Sequence, residues 1–143
     1  MLLSICIPTY NRVKQLDNCL NSILIASKNV NDFKFEICIS DNDSKQNTEQ
    51  VIKKYNNKMK IKFNKNINNL GFAMNGIKTV SMATGKYSWM IGDDDLLLPQ
   101  TFLKLQKIFE KNHDKDYFFI NSYHLDSRYL DSFPSPFDTK NLN

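Results

Sequence analysis

Along this chain, short apolar runs that stop at a polar residue alternate with stretches whose apolar residues recur every three or four positions. That alternation constrains the fold more than any other feature. Residues 2–7 form the first apolar run, ended by Pro8. Asn11 is a candidate helix cap, and Val13, Leu16, Leu20, Ile23 and Leu24 then make one helical stripe. Residues 33–40 are the second run, ending at Asp41; Ser44 or Asn47 opens a second helix with Val51, Ile52 and Tyr55 turned inward. Met59, Ile61 and Phe63 alternate with Lys60 and Lys62, the pattern of a half-exposed, edge-like strand. After the turn Asn69-Leu70-Gly71, a third helix is expected over 72–82 with Ala73, Ile77 and Val80 on its inner face, ended by Gly85. Residues 86–91 read as a fourth strand. Pro99 suits a first helical turn, and Phe102, Leu105, Ile108 and Phe109 mark the buried face of that helix. Residues 117–120 read as a fifth strand. The order βαβαβαβαβ predicts an α/β fold: a Rossmann-like, mostly parallel sheet with right-handed crossovers and helices on both faces.

A chain of 143 residues is one domain, 1–143, with an irregular tail from about 122. The 17 lysines against 2 arginines, and the 18 asparagines, read as compositional bias rather than function. Lys53, Lys54, Lys58, Lys60, Lys62 and Lys65 cluster around the third strand, as a solvated face or a weak attraction to anionic lipid. No aromatic residues interleave with them, so no nucleic-acid partner is expected. Cys6, Cys19 and Cys38 lack metal-ligand spacing and read as buried thiols of a reducing compartment. With no membrane span or signal core in the sequence, the expected setting is the cytoplasm.

The runs deliver polar groups at their carboxyl ends, which share one crevice in a parallel sheet. Strand one delivers Pro8-Thr9-Tyr10-Asn11-Arg12, strand two Asp41-Asn42-Asp43-Ser44, and strand four the triplet Asp93-Asp94-Asp95 after Gly92. Three adjacent carboxylates are costly unless a positive group neutralises them. A divalent metal with oxygen ligands, Mn²⁺ or Mg²⁺, is one such group; a solvated loop or an acid-rich helix start is the alternative. No G-x-G-x-x-G follows strand one and no P-loop motif exists, so neither a nicotinamide site nor a P-loop site is supported.

Taken together, Ser4-Ile-Cys-Ile-Pro-Thr-Tyr-Asn-Arg12, Ile39-Ser-Asp-Asn-Asp-Ser44, Asn69-Leu-Gly-Phe-Ala-Met-Asn75, Ala83-Thr-Gly-Lys-Tyr87 and Gly92-Asp-Asp-Asp95 resemble the successive blocks of family 2 of the inverting glycosyltransferases. The resemblance covers residues 1 to about 110. It implies the GT-A fold and transfer of a sugar, with inversion, from a nucleotide-sugar donor, a uridine-diphosphate sugar by expectation. The acceptor would be a hydroxyl of a glycan or lipid-linked molecule in bacterial surface-glycan synthesis, at the inner face of the membrane. On this resemblance Asp41 contacts the nucleotide base, Pro8, Thr9 and Tyr10 lie beneath it, and Asp43 reaches the ribose or caps the next helix. Gly71 and Asn75 wall the donor pocket, with a helix-surface role the alternative for Asn75. Asp93 and Asp95 match the D-x-D metal motif and Asp94 lies against the donor sugar. Two registers of the motif fit, because many relatives carry an acid where this chain has Gly92; Asp95 is a ligand in both.

The resemblance implies an acceptor-binding half that supplies a general base. No matching motif follows Asp95, and nothing in the sequence places Asp126 or Asp131. The expectation is therefore a donor-binding portion with the C-terminal part of the fold truncated; the alternative is a non-catalytic nucleotide-sugar-binding module. A metal-dependent phosphohydrolase would use the same acids but lacks a nucleophile or paired histidines. Self-association through apolar surface near Phe118 and Phe133 is a further expectation.

Overall fold

The computed structural model describes residues 2–120 and Ser122. Four strands, β1 (Leu3–Thr9), β2 (Phe35–Asp41), β3 (Ile61–Lys65) and β4 (Tyr87–Met90), alternate with four helices, α1 (Val13–Ser27), α2 (Thr48–Tyr55), α3 (Phe72–Ser81) and α4 (Thr101–Lys111). All strand pairings are parallel and the sheet order is β3-β2-β1-β4. The chain thus winds outward from β1 to β3, then returns to the other side of β1 with β4. Right-handed crossovers require the connecting helix to change face at that reversal. α1 accordingly packs with α2 and α4, while α3 crosses β1, β2 and β4.

The two faces of the sheet differ in chemistry. Leu3, Ile5, Ile7, Ile37 and Ile39 point toward α1, α2 and α4, where they meet Leu16, Leu20, Ile23, Ile52, Tyr55 and Phe102 in one continuous core. Burying each such branched side chain contributes about 1.5–3 kcal/mol. Under α3 the strands instead present Ser4, Cys6, Glu36, Cys38 and Ser40, all buried. The expected inner face of α3 was therefore wrong. Ala73, Ile77 and Val80 are exposed, and Asn75, Gly76 and Thr79 are the buried residues. A helix lying on small polar side chains turns small polar residues toward them, and apolar periodicity alone does not show that.

Three other local readings are corrected. Asn11 is not the α1 cap: Arg12 holds that position, and the Gln46 side chain accepts from Val13 N–H. Asn47 does cap α2, accepting from Gln50 N–H. Residues 117–120 form no strand; instead Phe118 packs edge-on against Tyr87 and Phe109. Gly85 lies beyond the end of α3, where a Cβ would come within 2.9 Å of the Ser4 and Leu3 backbone. Its missing side chain lets the α3–β4 turn close on β1. Phe118 itself is half-buried, but its neighbours Tyr117 and Phe119 are exposed, so apolar surface does lie near it as expected; Phe133 lies outside the described residues, and Phe72, Ile77 and Met90 are exposed as well. The expected irregular tail also falls outside the described residues, Ser122 aside. The three cysteines are buried and free. Among the described residues no helix is long and apolar enough to cross a membrane.

Candidate functional site

The carboxyl ends of β1, β2 and β4 lie side by side, and the winding reverses between β1 and β4. In open α/β sheets that reversal opens a crevice where ligands bind. Thr9 at the end of β1 is buried, and its hydroxyl donates to Asp93 Oδ2 across 2.8 Å. Arg12 completes the group. Its Nη1 lies 3.2 Å from Asp93 Oδ1 and 2.8 Å from Asp94 Oδ2. Burial pushes the Asp93 carboxyl up from its ordinary value; the Thr9 hydroxyl and Arg12 oppose that shift, and Asp94 adds to it. Arg12 is itself raised, mainly by its hydrogen bond to Asp93 and then by that to Asp94. Asp95 is exposed, and its Oδ2 accepts from Gly92 N–H across 2.7 Å, closing a tight turn. Among the described residues, no three acidic, histidine or cysteine side chains converge as a metal cluster.

Asp41 ends β2 directly opposite Thr9. Its Oδ1 accepts from Ser44 N–H, whereas Oδ2 is buried and has no hydrogen-bond partner. A buried carboxylate oxygen without a donor is costly, and a native fold that keeps one calls for a reason. Asp43 and Asn11 both adopt the left-handed conformation, at φ 66° and 54°. Asp and Asn tolerate that region better than most residues. Ser44 Oγ accepts from Asn11 N–H, and Asn11 Oδ1 accepts from Lys45 N–H, so the two loops lock together and aim Arg12 at the acids.

An amide ladder builds the third side. Asn75 is buried; it donates to Ser40 O and accepts from Asn66 Nδ2. Asn66 also donates to Asn42 Oδ1 and accepts from Asn64. Asn42 donates to Asn69 Oδ1 and accepts from Leu70 N–H. Asn75 is therefore neither a helix-surface residue nor a free pocket wall, since its amide is committed to holding the 66–71 loop. Gly71 sits at φ 79° at the start of α3, exposed beside that loop. Tyr10 is exposed and Pro8 half-buried at the crevice edge.

Of the site residues expected from sequence, the structure gathers Thr9, Asp93 and Asp94 into one cluster and sets Asp41 beside Thr9. Asn75 is buried within the amide ladder, and Asp95 is exposed with its Oδ2 bonded to Gly92 N–H. Asp126 and Asp131 lie outside the described residues. Arg12, which the sequence leaves between assisting phosphate binding and an exposed first-turn residue, is half-exposed and pairs with the acids, while the ladder asparagines, taken for bias, went unread. The N-L-G turn with asparagines on either side was the available signal for the latter.

The profile of glycosyl transferase family 2 matches residues 4–140. The abequosyltransferase RfbV of Salmonella typhimurium is 41% identical over 116 residues, covering 80% of this chain and 34% of that protein. An uncharacterised glycosyltransferase of Methanocaldococcus jannaschii is 37% identical over 127 residues, 87% of this chain and 43% of its own length. The chain thus spans less than half the length of these relatives. Among solved structures, Staphylococcus aureus TarS superposes with a TM-score of 0.70 at 26% identity, covering 79% of this chain and 33% of that one, and has been solved with UDP. A further TarS structure, at the same TM-score, holds UDP-GlcNAc. With the GT-A scaffold and the β1/β4 crevice in place, these matches establish that the chain belongs to glycosyl transferase family 2.

Proposed function

We propose that this chain binds a uridine-diphosphate sugar in the β1/β4 crevice and forms the donor side of an inverting glycosyltransferase of bacterial surface-glycan assembly. The acceptor would be a glycan or lipid-linked hydroxyl at the inner face of the membrane. The observation that carries the reading is the buried Asp93, held by Thr9 and Arg12 at the winding reversal and flanked by two further acids. The orphaned Asp41 Oδ2 supports it, because a uracil N–H is the kind of donor that atom lacks. Pro8, Thr9, Tyr10 and Asp43 complete the base and ribose side of this reading, and Gly71 and Asp94 the sugar side. The TarS complexes with UDP and UDP-GlcNAc favour a uridine donor.

A divalent cation, Mn²⁺ or Mg²⁺, fits the chemistry of the donor set. The ligands are hard carboxylate oxygens, and the Arg12 guanidinium already stands as a cation against Asp93 and Asp94. Asp93 and Asp95 would hold the ion, with Asp95 turning from Gly92 N–H. The cation's contribution is neutralisation of the leaving diphosphate. The protein's own groups bind the base at Asp41, orient the diphosphate beside Arg12, and exclude water with the Asn66–Asn75 ladder. No described residue is assigned as the general base.

Calorimetry of the chain with uridine diphosphate, with Mn²⁺ and then with chelator, tests the reading. Affinity should fall on chelation, and Asp95→Asn should remove the metal dependence while keeping the Gly92 hydrogen bond. Equal affinity under both conditions would refute the metal role, and no binding at all would refute the site.

A further inference from the structure

Arg12 differs from an ordinary surface partner in one respect: a single nitrogen, Nη1, meets carboxylates of two residues, Asp93 and Asp94. It stands where a small cation would stand. The three side chains differ in their access to water. Arg12 is 48% exposed and Asp94 56%, whereas the Asp93 side chain is 7% exposed. Arg12 can therefore swing into solvent, but Asp93 cannot. A buried carboxylate that loses its cation must take up another cation or a proton.

We infer that Arg12 is an exchangeable counter-ion. It occupies Asp93 and Asp94 in the unliganded protein and surrenders them to the divalent cation when a diphosphate offers the guanidinium new oxygens. The inference rests on the nucleotide-sugar reading above and adds a coupling to it. The metal meets a competitor in the free protein, and the nucleotide removes that competitor. Guanidinium suits both partners because its planar fork pairs with carboxylate and phosphate alike.

The test follows free Mn²⁺ by electron paramagnetic resonance in the wild-type chain, Arg12→Ala and Arg12→Lys, with circular dichroism to confirm folding. Without nucleotide, Arg12→Ala should bind Mn²⁺ roughly 5–150-fold more tightly than wild type, the usual span of a coupling between sites. Arg12→Lys keeps the charge and should stay within a few-fold of wild type. Uridine diphosphate should then raise Mn²⁺ affinity more in wild type than in Arg12→Ala. Equal or weaker Mn²⁺ binding by Arg12→Ala, or no Mn²⁺ binding by any of the three, would overturn the exchange. If the nucleotide has no effect in any chain, the donor reading fails, while the metal-only comparison still decides the role of Arg12.

Discussion

Glu36 offers a prediction whose size can be worked from the structure. The side chain is fully buried in β2, on the polar face of the sheet. Its Oε1 accepts from Ser4 Oγ at 2.9 Å, Thr84 N–H at 2.9 Å, Thr84 Oγ1 at 2.8 Å and Lys62 Nζ at 3.2 Å. Lys60 Nζ lies 3.4 Å from Oε2, which has no hydrogen-bond donor. Burial pushes the carboxyl up, but the Thr84 hydroxyl and N–H, the Ser4 hydroxyl and Lys62 outweigh it and bring it from 4.5 down to about 2. A folded value below the unfolded one stabilises the fold above the unfolded value, and the gain disappears as pH falls through the folded one. At about 1.4 kcal/mol per unit, the shift is worth about 3 kcal/mol at pH 7, shrinking to about 1 kcal/mol at pH 3. Glu36→Gln keeps the shape and removes the charge. Urea unfolding of both proteins, followed by the single tryptophan, Trp89, should show the stability gap narrowing by more than half between pH 7 and pH 3. A gap that stays constant or widens as pH falls would refute the argument that charge, rather than packing, holds this junction.

Two further outcomes follow from the same geometry. Asp41→Asn keeps an oxygen for Ser44 N–H but loses the charge; it should weaken uridine diphosphate binding by about 1.5–3 kcal/mol by calorimetry, and unchanged affinity would leave Asp41 a turn residue. Gly85→Ala forces a Cβ against the β1 backbone and should lower stability by about 1–3 kcal/mol; a thermal midpoint equal to wild type would show that the turn gives way freely.

What could be read in the sequence was whatever hydrophobic periodicity determines. The apolar runs around Ile5 and Ile37 and the stripe of Leu16, Leu20 and Ile23 placed two strands of the sheet and the helix that covers them. The polar ends Thr9, Asp41 and Asp93 pointed to the crevice. The second face escaped because its packing is polar. Glu36 lay inside an apolar run with nothing to mark it as buried, and Lys60 and Lys62 looked like a solvated face while they neutralise it. The short aromatic run containing Phe118 looked like a strand, but ring packing on Tyr87 and Phe109 satisfies it without a ladder. Arg12 could not be placed because its partners lie more than 80 positions away.

The asparagine ladder also has a direction. Ser40 O can only accept, so the Asn75 amide must point its nitrogen there and its oxygen toward Asn66. Asn66 must then offer its nitrogen to Asn75 and its oxygen to Asn64. One backbone carbonyl thus dictates the polarity of successive side chains, like a row of magnets aligned by the first. Aspartate at position 66, nearly the same shape, would set oxygen against oxygen on both the Asn75 and the Asn42 side. In this segment the interchange usually regarded as mildest is the one the network cannot absorb, so its asparagines are fixed by donor order and not by size.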